Sequence, residues 1–228
     1  REAHYMEHQF IDAWVHEVKA PLTAMKLAID NDPTHPMMKR VEQEWLRIHL
    51  LIEEQLYISR LADIEKDFLV AEHPLKTIIY PEIKQLKSWF LEKNIAIEIE
   101  LQDEEMNVLT DVKWAQFIFR QILTNAIKYS PFGSEIVITG RTKDGYSELI
   151  VKDQGKGVSS ADLPRLFERG YTGQTGRKTN AATGLGLFLA KEVGQHIGCS
   201  IAVKSAIQQG TEVTMTFSKK NDYDSLYS

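Results

Sequence analysis

Apolar residues recur at steps of three and four through the opening of the chain, as Phe10, Trp14, Val18, Pro21 and Met25, with Ile11, Val15, Leu22 and Ile29 beside them. That spacing describes one broad face of an amphipathic helix, which is expected to be buried. Gln9, Asp12, His16, Lys19, Thr23 and Lys26 fall three or four apart between them and form a continuous polar stripe, so His16 is expected to face water. Pro21 lies inside the pattern, where it removes one backbone bond and presses on the carbonyl of Glu17. An interior proline costs a helix roughly 3 kcal/mol. Its place just below an exposed His and Glu marks a point where something docks.

The run Asn31-Asp32-Pro33-Thr34-His35-Pro36 ends this helix. A second follows from Pro36 to about Leu61, with Val41, Trp45, Ile48, Ile52 and Leu56 on one face. The short connection makes the pair an antiparallel hairpin. Two wide apolar stripes cannot cover each other completely, and each exposed Leu, Ile or Phe forgoes roughly 1.5 to 3 kcal/mol. Pairing two hairpins into a four-helix bundle removes the problem, so a homodimer is expected. The alternative is packing against the rest of the same chain.

Beyond a linker at Asp63 to Ala71 the pattern mixes helix and strand. A helix is expected over Pro74 to Glu92, and Ile95 to Leu101 alternates as a strand. Asp111 caps a long helix carrying Trp114, Phe117, Ile118, Ile122, Leu123 and Ile127, ended by Ser130-Pro131-Phe132-Gly133. Strands at Ile136 to Arg141 and Ser147 to Asp153 flank a turn at Lys143-Asp144-Gly145-Tyr146. Gln154 to Thr183 reads as a long polar loop with a short helical piece near Leu163 to Phe167, the length of a functional segment. A helix over Leu185 to Ile197 and strands at Ser200 to Lys204 and Glu212 to Phe217 complete an α+β chain, with a helical hairpin at 1–66 and a mixed α/β unit at 67–228.

A net charge of -5 and a pI near 5.8 argue against nucleic acid as a partner, whose binders usually carry a strongly basic face. A single cysteine, Cys199, excludes an internal disulfide and a Cys-based metal site, and its apolar setting predicts a buried thiol.

Four patches in the second half have the chemistry of a nucleotide site. Asn125 and Lys128, with Tyr129 adjacent, share the end of the long helix, where a carboxamide oxygen suits Mg2+ and an ammonium suits phosphate. Asp153, Gly155 and Gly157 place a carboxylate at a strand end before a tight turn. Such a carboxylate accepts from an exocyclic amine, and the glycines let a flat base approach. Gly184-Leu185-Gly186-Leu187 leads into a helix, the arrangement of a phosphate cradle. Gly210-Thr211 precedes the last strand, where Thr211 is placed to reinforce Asp153.

In order and spacing these patches resemble the N, G1, F and G2 boxes of the ATP-binding domain shared by histidine kinases, gyrase, Hsp90 and MutL. The F box is Leu163-Pro164-Arg165-Leu166-Phe167-Glu168-Arg169-Gly170-Tyr171. His16-Glu17-Val18-Lys19-Ala20-Pro21 is similar to the phosphoacceptor box of sensor histidine kinases, in the version found in kinases that sense cell-envelope stress in Gram-positive bacteria. The resemblance implies an α/β sandwich that binds ATP and Mg2+, the metal on Asn125. It further implies autophosphorylation of His16, with Glu17 as base or orienter, and transfer to an Asp of a response regulator. The nucleotide set it implies is Asn125, Lys128, Tyr129, Asp153, Gly155, Gly157, Gly170, Tyr171, Thr172, Gly184, Leu185, Gly186, Leu187 and Thr211. It implies a cytoplasmic portion of a membrane-anchored kinase that works beside a peptide-exporting ABC transporter. Two positions depart from the common pattern: Gln121 stands where many relatives carry Asn, and Ala20 where relatives that dephosphorylate their partner carry Thr or Asn. The rival expectations are an ATP-binding scaffold that transfers no phosphate, and an ATPase or chaperone on the same sandwich.

Overall fold

The computed structural model describes residues 2–32, 35–60, 69–172 and 184–219, with side chains from 14 onward except 15, 16, 36 and 60. They fall into two compact units, Arg1–Asp67 and Phe68–Ser228.

The first unit is the helix pair α1 (Glu2–Asn31) and α2 (Pro36–Arg60), and α1 continues through Pro21. Leu22, Ile52 and Leu56 form its seam with Val18 and Trp45 against them. The Trp45 indole N–H donates to the Leu22 carbonyl at 2.8 Å, and Lys26 bonds Glu42 at 2.8 Å while lying 5.4 Å from the centre of the Trp45 ring. The sequence pattern treats the whole apolar stripe of α1 as buried. Among the described side chains of that set Leu22 and Ile29 are buried in the hairpin, whereas Trp14 is 44% and Met25 41% exposed and Pro21 is also open. One partner helix is too narrow to cover a stripe that wide.

In the second unit, strands β2 (Ala96–Leu101), β4 (Glu135–Lys143), β5 (Tyr146–Lys152), β6 (Cys199–Ser205) and β7 (Thr211–Phe217) form a five-stranded sheet in the order β2-β4-β5-β7-β6. The β2 and β4 strands run parallel and the other pairs antiparallel. A four-residue β1 (Ala71–Pro74) pairs antiparallel with β3 (Asn107–Thr110). Helices α3 (Lys76–Gln85), α5 (Val112–Tyr129) and α6 (Gly186–His196) pack side by side, with α5 and α6 also against strands, and α4 (Lys87–Glu92) follows α3.

The expected single helix over Pro74 to Glu92 is therefore corrected. Pro74 ends a strand, the helix starts at Lys76, and Leu86 interrupts it with φ -90° and ψ 6° while its side chain is fully buried. Strands of four residues are too short for alternation to show against flanking apolar residues, which is why β1 and β3 went unread. The turn between β4 and β5 has positive φ at both Asp144 (52°) and Gly145 (77°), as a two-residue hairpin connection requires.

Helix α5 is the spine of the unit. Asp111 caps it by accepting from the Trp114 N–H at 3.1 Å on one oxygen and from the Leu69 N–H at 2.8 Å on the other. Trp114, Phe117, Ile118, Phe119 and Ile122 are buried along it, and in the sheet Ile138, Leu149, Met215 and Phe217 are buried as well. Arg120 forms a buried ion pair with Glu82 of α3, at 2.5 Å from Nε and 3.2 Å from a terminal guanidinium nitrogen. Cys199 is buried as expected, and burial pushes its thiol up to about 12.

Candidate nucleotide site

Asp153 follows β5 and is 6% exposed. One carboxylate oxygen accepts the N–H of Gly155 at 2.7 Å and that of Thr211 at 3.1 Å, while the Asp153 N–H donates to the Thr211 carbonyl at 2.9 Å. Burial pushes the carboxyl above the usual carboxylate range, and the two backbone donors pull it part of the way back. Its second oxygen accepts no hydrogen bond among the described residues. The fold thus presents one strong acceptor in a place of low dielectric, fitted to a ligand N–H.

The hydroxyl of Thr211 joins this acceptor set by elimination. Ser205 Oγ has one proton, which goes to the Gly210 carbonyl at 2.7 Å, and it accepts the Val158 N–H at 2.9 Å. Thr211 Oγ1, 3.0 Å away, therefore donates to Ser205, and toward a ligand it can only accept. An exocyclic amine has two donors, which match two acceptors. Ser205 has no counterpart in the sequence-based set, because a serine at a strand end carries no signal until its neighbours are placed.

The end of α5 meets this corner from the other side. Asn125, Lys128 and Tyr129 are half-buried there, and burial raises the Tyr129 phenol. The Lys128 ammonium lies 5.4 Å from the centre of the Tyr129 ring. A Cβ on Gly155 would stand 2.8 Å from the Asp153 carboxylate and 2.9 Å from the Tyr129 carbonyl, so only glycine lets the turn and helix end close on each other. Lys93, also missing from the sequence-based set, donates to the carbonyls of Ile127, Lys128 and Ser130 at 2.7, 2.8 and 2.9 Å. Burial lowers its pKa, and its three donors satisfy carbonyls the helix end leaves unpaired.

Gly184, Leu185, Gly186 and Leu187 lie at the start of α6, which has no side-chain cap. Its first amide groups and the positive end of its dipole form an anion-binding terminus. Gly186 sits against the Gln121 carboxamide, where a Cβ would come within 2.5 Å, so α5 and α6 touch at the cradle itself. Gly157, with φ 70°, backs onto the Ala206 carbonyl. Gly170, Tyr171 and Thr172 close the preceding segment, whose short helical turn at Leu163–Arg165 matches the expected piece. Residues 173–183 lie outside the described residues, so the C-terminal part of the expected long loop does too.

The other candidate residues are on α1. Glu17 and Lys19 are exposed there, while the side chain of His16 lies outside the described residues. The structure thus gathers the N, G1, and G2 patches and Thr211 into the second unit, and leaves His16 and Glu17 in the first.

A mixed sheet covered by helices, with a buried acceptor at a strand end and a glycine turn opening onto a helix, has the features of a nucleotide-binding fold. Residues 110–221 match the family described as Histidine kinase-, DNA gyrase B-, and HSP90-like ATPase. Over most of its length the chain is similar to bacterial sensor histidine kinases. It is 44% identical over 216 residues to the sensor protein BceS of Bacillus subtilis, covering 95% of this chain and 64% of that one. It is 43% identical over 211 residues to BceS of Halalkalibacterium halodurans, covering 92% and 62%. To the sensor histidine kinase GraS of Staphylococcus haemolyticus it is 38% identical over 214 residues, covering 94% and 62%. The chain thus spans just under two thirds of the length of these relatives.

Among solved structures, full-length ShkA in complex with AMPPNP superposes with a TM-score of 0.66 at 20% identity, over 92% of this chain and 45% of that one. The Acinetobacter baumannii histidine kinase AdeS gives 0.62 at 17% identity, over 90% and 98%. Both likenesses concern the fold.

Proposed function

We propose that this chain is the catalytic core of a sensor histidine kinase, which phosphorylates its own His16 from ATP and passes the phosphoryl group to an aspartate of a response regulator. The observation that carries the reading is the pair of acceptors at Asp153 and Thr211 beside an uncapped helix start, on a chain that also holds a His-Glu pair on a helix. Asp153 and Thr211 take the adenine amine, Gly155 and Gly157 let the base approach, and Lys128, Tyr129 and the Gly184-Leu185-Gly186-Leu187 turn hold the phosphates. The segment Gly170-Tyr171-Thr172 borders them.

Mg2+ is assigned to the Asn125 carboxamide oxygen together with phosphate oxygens, the hard oxygen donors that this ion takes. Bound there, the ion neutralises phosphate charge. A neutral ring nitrogen of His16 attacks the γ-phosphorus, the bond to the bridging oxygen breaks, and ADP leaves. Glu17 is exposed on the same helix as His16 and serves to orient the ring or take its proton. Residues one apart do not face each other on a helix, so its side chain must bend back to do so.

The incompletely covered stripe with Trp14 and Met25 supports a homodimer closing into a four-helix bundle. No helix among the described residues is long and apolar enough to cross a membrane. Anchoring to the bacterial membrane through another segment, and work beside an ABC transporter, are proposed from the kinship with BceS and GraS. Incubation with γ-labelled ATP tests the assignment. Acid-labile, alkali-stable label on the protein is the expected result. Released phosphate without label would indicate an ATPase, and neither would indicate a scaffold.

A further inference from the structure

The family resemblance implies Tyr171 among the nucleotide-contacting residues, but its hydroxyl has another engagement. It donates to one carboxylate oxygen of Asp162. The other Asp162 oxygen takes the Ser159 hydroxyl at 2.9 Å, and the Asp162 N–H donates back to Ser159 Oγ at 3.2 Å. The Arg165 guanidinium lies 4.3 Å from the centre of the Tyr171 ring. A tyrosine held at both ring and hydroxyl has little freedom to turn toward a phosphate.

What this arrangement fixes is backbone. The Tyr171 N–H donates to the Glu168 carbonyl at 3.1 Å, and the neighbouring Gly170 N–H donates to the Gly184 carbonyl at 3.0 Å. Gly184 has φ 67°, and a Cβ there would lie 2.5 Å from the Gly170 carbonyl carbon and 2.8 Å from the Tyr171 nitrogen. The left-handed glycine is thus seated directly on the Gly170–Tyr171 peptide, two residues before the uncapped start of α6. Moving Tyr171 moves the surface on which the glycine turn rests.

We propose that Asp162 and Tyr171 form a strut that sets the position of the glycine turn at the start of α6, and with it the phosphate end of the nucleotide site, without either side chain touching the nucleotide. Both are positioning residues. The proposal rests on the ATP reading given above. It makes the site's two ends separable: the base end belongs to Asp153 and Thr211, the phosphate end to the strut.

A direct phosphate contact by Tyr171 predicts a different pattern. Removing the Asp162 carboxylate would then tighten binding of a tetra-anionic ligand or leave it unchanged, since a negative neighbour would be gone. A strut predicts a loss from either side. The experiment measures affinities of the full chain for a nonhydrolysable ATP analogue and for adenosine by calorimetry, in Tyr171→Phe, Asp162→Ala and the double variant. Each single change should weaken the analogue about tenfold and adenosine less than about twofold, and the double variant should be no weaker than the worse single. Tyr171→Phe keeps the ring under Arg165 and removes only the hydroxyl, so it decides the matter if Asp162→Ala fails to fold. Unchanged analogue binding in Tyr171→Phe, an equal loss for adenosine, additive losses, or tighter binding by Asp162→Ala would each overturn the strut. An unmodified chain that binds neither ligand would instead refute the nucleotide site.

Discussion

The two units bury their large side chains to very different degrees. Helix α5 sinks Trp114, Phe117, Ile118 and Phe119 to 1% exposure or less inside one chain, whereas the helix pair leaves Trp14 at 44%, Met25 at 41%, Ile48 at 43% and Leu51 at 46%. At roughly 1.5 to 3 kcal/mol for each buried large apolar side chain, the second unit closes its own core while the first leaves large apolar side chains open. The difference teaches a division of labour. A nucleotide site needs a closed interior, where a carboxylate can be held away from water, and a phosphoacceptor needs an exposed helix that other proteins can reach.

The largest expected effect follows from that division. His16→Gln should reduce labelling from γ-labelled ATP to background while nucleotide affinity, measured by calorimetry, stays within about twofold, because the change lies in the other unit. A variant that still takes label would move the acceptor elsewhere.

Asp153→Asn should do the reverse, removing detectable ATP-analogue binding while the oligomeric state seen by light scattering is unchanged. The amide oxygen is drawn to the two N–H groups of Gly155 and Thr211, which turns the NH2 toward the ligand donor and leaves both unpaired, at about 1 to 3 kcal/mol or more. Burial holds the Asp153 carboxyl above its unfolded pKa, so the ionised form is disfavoured in the folded state. The group's favourable contribution is present below the unfolded pKa and is lost as pH rises through the folded one. Ligand-free Asp153→Asn should therefore melt no lower than the parent at pH 7, with its relative advantage shrinking as the pH is lowered into the carboxylate range. A large drop in melting temperature at pH 7 would contradict this account of the site.

Breaking the buried pair that ties α3 to α5 sharpens the contrast in stability. Arg120→Met leaves Glu82, 2% exposed, without its guanidinium, and should destabilise the second unit by about 3 to 5 kcal/mol in urea unfolding. Dimer dissociation should be nearly unaffected. The smallest effect belongs to the hairpin. Trp45→Phe keeps most of the ring but removes the hydrogen bond to the Leu22 carbonyl, and should lower its stability by about 0.5 to 1.5 kcal/mol. Equal sensitivity of the two units to these changes would mean that they do not fold as separate bodies.

Sequence periodicity located both hairpin helices, α5 with its Asp111 cap, α6 and all five strands of the main sheet, because these elements are long or strongly alternating. It failed at β1 and β3, where four residues cannot establish a period, and at Leu86, where a buried leucine interrupts what reads as one helix. In the candidate site, glycines and carboxylates were legible because their chemistry and spacing are unusual. Lys93, Ser205 and Asp162 were not. Each acts through partners distant in sequence or through backbone carbonyls and hydroxyls, and a lysine, serine or aspartate seen alone reads as ordinary surface.

The single parallel pairing in the sheet, between β2 and β4, has a bearing on the order in which the unit assembles. The β4 and β5 strands meet through a two-residue turn, and such hairpins close in about 1 to 10 μs. Strand β2 joins β4 with Ala96 opposite Glu135, so β3 and all of α5 must be gathered in between, and β5 must wait for Phe217 to reach Ser147. Non-local closures of this kind slow folding. On the ribosome the helical hairpin emerges before the second unit and completes its local contacts early, while β5 stands with an unpaired edge until β7 has been made. A newly made chain therefore passes through an interval in which its helical hairpin is finished and its second unit is still vulnerable to association with other unfinished strands.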